Sequence, residues 1–249
     1  MLASLSAGLA QQIDGLTDFL CNLFRSSLGK KYLMAGTGLF LFLFVFAHLL
    51  GNLQIFLGKE ALNRYGHLLQ TNPELIWPAR LILLACVLAH IWAAARLTRE
   101  NRQARPLRYE RWEPTAASFA SRTMMVSGII VALFIVYHLL HFTAMVQAVN
   151  LTGKDFNSRP EFFDSQGRHD IYRMMVVGFR RPAVSLFYVA GVGLLCLHLS
   201  HGASAMWQSL GWKKRSYTRL IEGFGKVVAV AIFVGYISIP IAILAGLIE

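Results

Sequence analysis

Five apolar runs, each about 20 residues long, constrain this chain more than any other feature, because a run of that length crosses a hydrocarbon core of roughly 30 Å as a single helix. They fall at 32–56, 75–95, 123–149, 182–206 and 227–247. With 55% hydrophobic and 15% charged residues and a mean hydropathy of +0.49, the 249-residue chain is too apolar for an ordinary soluble domain. The expected fold is all-α and integral to a membrane, one domain over 1–249 with five transmembrane helices.

The net charge of +11 is segregated by connection. Arg25, Lys30 and Lys31 precede the first span; Arg96, Arg99, Arg102, Arg105, Arg108, Arg111 and Arg122 fill the second connection; Lys213, Lys214, Arg215 and Arg219 fill the fourth. The first and third connections are mixed in sign. By the positive-inside rule this places the N-terminus in the cytoplasm and the C-terminus outside. The basic excess is then a record of topology rather than a nucleic-acid surface, and lipid and a cytoplasmic protein partner are the expected neighbours.

No positive charge precedes the apolar part of residues 1–24, so the segment does not read as a signal peptide. Leu2, Leu5, Leu9, Ile13, Leu16, Leu20 and Leu23 recur at helical spacing and suggest an amphipathic helix on the inner face. Cys21, Cys86 and Cys196 form neither a disulfide framework nor a metal motif, and with no CxxCH any haem would be non-covalent.

Histidine inside a hydrophobic span is costly, and a single one is an even choice between function and an interhelical hydrogen bond. Here the first four spans carry His48, His90, His138 with His141, and His198 with His201. The first and third also share a phrase, GLFLFLFVFAHLL and GIIVALFIVYHLL, with a histidine ten residues after a glycine. Alternating helix direction puts His48 and His138 at one depth near the outer side, and His90 and His198 at another toward the inner side. Two histidines from different helices at matched depth are what a bis-histidine haem requires. The two levels come out roughly 16 Å apart along the membrane normal, a short path for electrons. Gly36, Gly38, Gly128, Gly191 and Gly193 remove bulk upstream of the ligands.

His141 and His201 each follow a first histidine by three residues, so either member of each couple could be the ligand. His138 is preferred because it matches His48 in the repeat, and His198 because it matches His90 in depth. His141 and His201 then suit haem propionates, and His67 and His169 read as loop surface.

Longer stretches extend the pattern: SSLGKKYLMAGTG before the first span, HLLGNLQIFLG closing it, SRTMMVSG opening the third and HLSHGASAMWQSLGW closing the fourth. Together they resemble the di-haem cytochrome b membrane subunit of bacterial succinate:quinone oxidoreductases and fumarate reductases, over about residues 26–247. The resemblance implies a five-helix bundle in the bacterial cytoplasmic membrane with two b haems. It also implies a flavoprotein and an iron-sulfur subunit as partners and menaquinone or ubiquinone as mobile substrate. It makes His90 and His198 ligands of the proximal haem and His48 and His138 ligands of the distal one. The chain departs from the pattern at Cys196, where some menaquinol-oxidising relatives carry a glutamate that serves a proton path; a thiol is a poor substitute.

For quinone carbonyls, Asn52, Gln54, Glu60 and Arg80 are candidates on the outer side and Lys30, Ser118 and Arg122 on the inner. Arg80 and Arg181 equally suit distal propionates, and Lys30 and Arg122 equally obey the positive-inside rule. The extramembrane segments read as short loops with no nucleotide fingerprint or cysteine cluster, so dicarboxylate chemistry belongs to other chains. Rival readings are the cytochrome b subunit of another quinone-linked oxidoreductase, and a haem-free anchor or transporter. The second is disfavoured by the lack of Asp and Glu within the five runs.

Overall fold

A computed structural model describes residues 11, 12, 15, 17, 18, 21–104 and 118–249. Most of the amphipathic segment 1–24, and Arg105, Arg108 and Arg111, lie outside the described residues. The elements in chain order are α1 (Ser27–Leu53), α2 (Lys59–Gln70), α3 (Pro73–Gln103), α4 (Phe119–Arg122), α5 (Met124–His138), α6 (Ile171–Phe179), α7 (Pro182–Ser209) and α8 (Thr218–Leu244). A 3₁₀ turn, Gln54–Leu57, follows α1, and a π-helical turn, Leu139–Thr143, extends α5. Among the described residues there is no strand, only an isolated antiparallel bridge between Phe163 and His169. The protein is an all-α, multi-pass membrane protein whose five long apolar helices, α1, α3, α5 with its π turn, α7 and α8, are each long enough to cross a bilayer.

Local chemistry explains the helix ends. Ser26 caps α1 by accepting the Gly29 amide at 2.9 Å, and Pro73 and Pro182 occupy first-turn positions of α3 and α7 where a missing N–H costs nothing. At the end of α8, Gly246 adopts φ 70°, the Leu247 amide reaches back to the Ala242 carbonyl and the Gly246 amide to Ile243, closing a Schellman turn.

Several spans differ from the sequence-based boundaries: α1 begins at Ser27 rather than Tyr32 and α3 runs on to Gln103 rather than Ala95, and the third and fifth differ too. The third leaves helical geometry after Thr143 instead of running to Val149, because Met145 turns into the left-handed region at φ 51°. There Met145 and Phe142 pack on a small cluster of Phe156, Phe162 and Met174, so apolar character continues where the helix does not. The fifth begins at Thr218 rather than Val227; Glu222 and Lys226 make its first turns polar, and hydropathy marks the lipid-facing part of a helix rather than its end.

α7 and α8 form the centre. About 33% of each apolar window is buried in these two helices, against 11% in α1 and α3, whose outward faces carry Leu43, Phe46, Leu84 and Leu88 to lipid. Gly235 of α8 lies under Leu49, and the Tyr236 hydroxyl donates to the Val45 carbonyl at 2.8 Å, tying α8 to α1. α1 packs on α3 and α7, and α5 packs on α7, whereas α1 with α5 and α3 with α7 are not extensively packed pairs.

One end of the bundle gathers the basic residues and the other carries a folded cap. At the basic end Lys30, only 4% exposed, pairs with Glu100 at 2.8 Å and donates to the Arg25 carbonyl, while Ser27 also donates to Glu100. The lysine is therefore a strut between α1 and α3 as well as a topology signal. At the cap end α2, α6 and residues 144–170 fold over the helices, where the sequence suggested short loops. Asp170 caps α6 through the Arg173 amide, accepts from Asn63 at 3.0 Å and pairs with Lys59 at 2.7 Å. Arg168, 9% exposed, forks onto both oxygens of Glu60 and binds Asp164. A carboxylate and a guanidinium buried in this way stay ionised only because each is fully paired.

Candidate functional site

The span histidines form two facing pairs. His48 of α1 and His138, the last residue of α5, have ring centroids 5.7 Å apart, and His90 of α3 and His198 of α7 have centroids 6.4 Å apart. The first pair lies toward the cap and the second toward the basic end. Gly38, which faces His90, precedes His48 by ten residues of helix, so the two levels are separated by about 15 Å along α1.

An imidazole nitrogen binds a first-row metal at about 2.0–2.1 Å, so two rings sharing one ion hold their centres on the order of 6 Å apart. Both observed separations match that demand. Among the described residues, His, Cys, Asp and Glu side chains gather nowhere in threes, so protein groups alone do not build a full coordination shell for a bare ion. The donor set at each level, two imidazoles from different helices, is of the kind from which a b haem takes its axial ligands.

The rings of the basic-end pair are seated alike. His90 Nδ1 is 3.2 Å from Thr37 Oγ1, and His198 Nδ1 is 3.2 Å from Ser127 Oγ. A Cβ added to Gly38 would come within 3.3 Å of His90 Cε1, and one added to Gly128 within 3.4 Å of His198 Cε1. These two glycines admit the histidine rings. The others do different work: Gly191 lies against the Phe134 ring, Gly193 has Phe233 at 3.6 Å from such a Cβ, and Gly36 has open space.

The cap-end pair is seated unevenly. His138 Nδ1 lies 3.3 Å from the Tyr188 hydroxyl, which is also 3.1 Å from His141 Nδ1. His48 stacks on Phe44 at 5.3 Å and has Tyr236 at 6.4 Å. His141 is fully buried, stacked on Phe142 at 3.9 Å, and its Nε2 has no hydrogen-bond partner, a capacity for a propionate or water that no side chain uses. Tyr188 carries no motif of its own: in the sequence it is a lone tyrosine in the fourth span, ten residues before His198.

Other candidates are dispersed. His201 is half-buried one turn beyond His198, and Arg80 is exposed over the Trp77 ring. Arg181 reaches the Thr152 carbonyl at 3.4 Å, and the Asn52 side chain donates to the His48 carbonyl at 2.7 Å. Gln54 is half-buried in the 3₁₀ turn, Ser118 caps α4, and Arg122 is exposed. Glu60 is held by Arg168, whose hydrogen bonds draw its carboxyl below the usual range. His67 and His169 are not loop surface of one kind. His67 is exposed on α2, while His169 is half-buried with Nε2 at 2.9 Å from the Phe156 carbonyl, because the cap closes over it.

The fold and these pairs define a multi-pass membrane protein with two histidine couples stacked across its bundle. No protein-family model, curated protein or solved structure matches the chain.

Proposed function

We propose that the chain is the di-haem cytochrome b subunit of a succinate:quinone oxidoreductase or quinol:fumarate reductase. On this reading it passes electrons between an iron-sulfur subunit and membrane quinone. The observation that carries the reading is the presence of two histidine pairs at two levels, with ring centroids 5.7 and 6.4 Å apart. The resemblance of the motifs around them supplies the partners, the flavoprotein and iron-sulfur subunits.

His48 and His138 would hold the haem nearer the cap, and His90 and His198 the one nearer the basic end. A b haem supplies one-electron redox chemistry at each level. The protein's own work would be to present two imidazoles at each level, to set the Nδ1 edges of His90, His198 and His138 beside hydroxyls, and to pack Phe134 and Phe142 against His138. The basic end would face the bacterial cytoplasm and dock the iron-sulfur subunit, and Glu249 would lie outside. His141, His201, Arg80 and Arg181 are offered to propionates, and quinone would bind beside one of the two haems.

The test is a dithionite-reduced minus oxidised spectrum of the chain purified with its partners, together with haem per polypeptide. About two b haems per chain are expected, one per histidine pair. Intact, assembled protein without haem would sink the proposal in favour of a haem-free anchor or transporter.

A further inference from the structure

Building on the di-haem reading, we propose that Thr37 and Ser127 are positioning residues that hold His90 and His198 in the tautomer whose Nε2 is free to bind iron. A hydroxyl has one proton, and a backbone carbonyl can only accept. Thr37 Oγ1 lies 2.7 Å from the Leu33 carbonyl and 3.3 Å from that of Met34, so its proton is committed to its own helix. Toward His90 Nδ1, 3.2 Å away, the oxygen then serves as acceptor, and the Met34 carbonyl is a second acceptor beside the same ring, so Nδ1 carries the hydrogen. Ser127 repeats the arrangement: its Oγ donates to the Met124 carbonyl at 3.1 Å and accepts from His198 Nδ1 at 3.2 Å. A neutral imidazole has a single N–H, so both Nε2 atoms keep their lone pairs.

The neighbouring glycine completes each seat. Gly38 and Gly128 leave their sides open where a Cβ would press on the Cε1 of the same ring. The hydroxyl, with the Met34 or Met124 carbonyl beside it, receives the ring proton, and the glycine admits the imidazole. Both seats lie eleven residues before a cap-end histidine, Thr37 before His48 and Ser127 before His138, which is about three turns and nearly the same helix face. The repeated phrase is therefore a two-ended device: hydroxyl and glycine receive the histidine of the next spanning helix at one level, and the phrase's own histidine serves the other. α1 with α3, and α5 with α7, use it in the same way.

An outer-sphere acceptor on Nδ1 raises the donor strength of Nε2, and losing one typically weakens a metal site 10–100-fold. The experiment uses the full chain with its co-purifying partners. Wild-type protein is first shown to carry two b haems, since a haem-free wild type would overturn the underlying reading and this proposal with it. In a Thr37→Val, Ser127→Ala double variant the basic-end haem should pass to a haem scavenger at least about tenfold faster. Its midpoint potential should rise, while the cap-end haem keeps its rate and potential and so reports an intact fold. Thr37→Ser, which retains the hydroxyl, should behave as wild type. If the double variant does not accumulate, Thr37→Val and Ser127→Ala singly are read by the same two measurements. Both haems retained at wild-type rate and potential would overturn the proposal and leave the hydroxyls as packing bonds between helices.

Discussion

The two histidine pairs are built differently although each spans the bundle once. At the basic end both rings lie against a glycine with Nδ1 3.2 Å from a hydroxyl on an adjacent helix. At the cap end one tyrosine hydroxyl is shared by His138 and His141, and His48 rests among aromatic rings. The first arrangement is symmetric and depends on two helix pairs alone. The second is asymmetric and lies under a cap held by buried charge. Two levels of one bundle can therefore respond independently, one to changes in its seats and the other to changes in the cap.

The largest effect tests whether the pairs are separate at all. On the proposed di-haem reading, replacing His48 by Ala should remove the cap-end haem and leave the basic-end spectrum largely intact, and His90→Ala should do the reverse, each reducing haem per chain by about half. Loss of both signals from either variant would mean that the pairs are one site, and loss of the opposite signal would reverse the assignment of levels.

Next in size is the cap. Asp170→Ala removes the α6 cap, the Asn63 bond and the Lys59 ion pair at once, and should cost about 3 kcal/mol locally. Burial alone would raise the Asp170 carboxyl, but Lys59, the Arg173 amide and Asn63 outweigh it and hold it below the usual range. Asp164 is likewise lowered against its burial, by Arg168 and backbone amides. Carboxyls depressed in the folded state contribute stability that is complete above the unfolded value of about 4 and is lost as pH falls through the folded one. Hydrogen exchange of residues 150–181 should accordingly quicken below about pH 4, ahead of the spanning helices. In Asp170→Ala that quickening should already be present at neutral pH. A cap that stays protected in acid, or an equal loosening of both haem signals, would break the proposed independence of the two ends.

Much of this was legible in the sequence. The five spans follow from apolar length, and the pairing of histidines by depth agrees with the two couples brought together in the bundle. What the sequence hid was the cap and the hydrogen-bond partners that seat each ring. The cap is joined by bonds such as Asn63 to Asp170 and Arg168 to Glu60, across more than a hundred positions, which no local pattern announces. The end of the third span was misplaced because Met145 is apolar in helix or cap alike. Thr37 and Ser127 were visible in the repeat, immediately before the glycines, but small polar residues are common in membrane helices. Only the position of the facing rings gives them meaning.

The smallest expected effect sharpens the contrast most. Tyr188→Phe keeps the ring that packs among Phe134, Phe142 and Phe179 and deletes only the hydroxyl between His138 and His141. If His138 donates Nδ1–H to that oxygen, the tyrosine proton must go to His141 Nδ1, because the hydroxyl has one hydrogen to give. Removing the hydroxyl leaves both nitrogens buried without a partner, at a cost of about 1–3 kcal/mol. The cap-end haem should then exchange faster and shift in its reduced spectrum, with the basic-end haem unchanged. An unaltered cap-end signal would show that His138 is held by packing alone, and that the two pairs differ even more than their hydrogen bonds indicate.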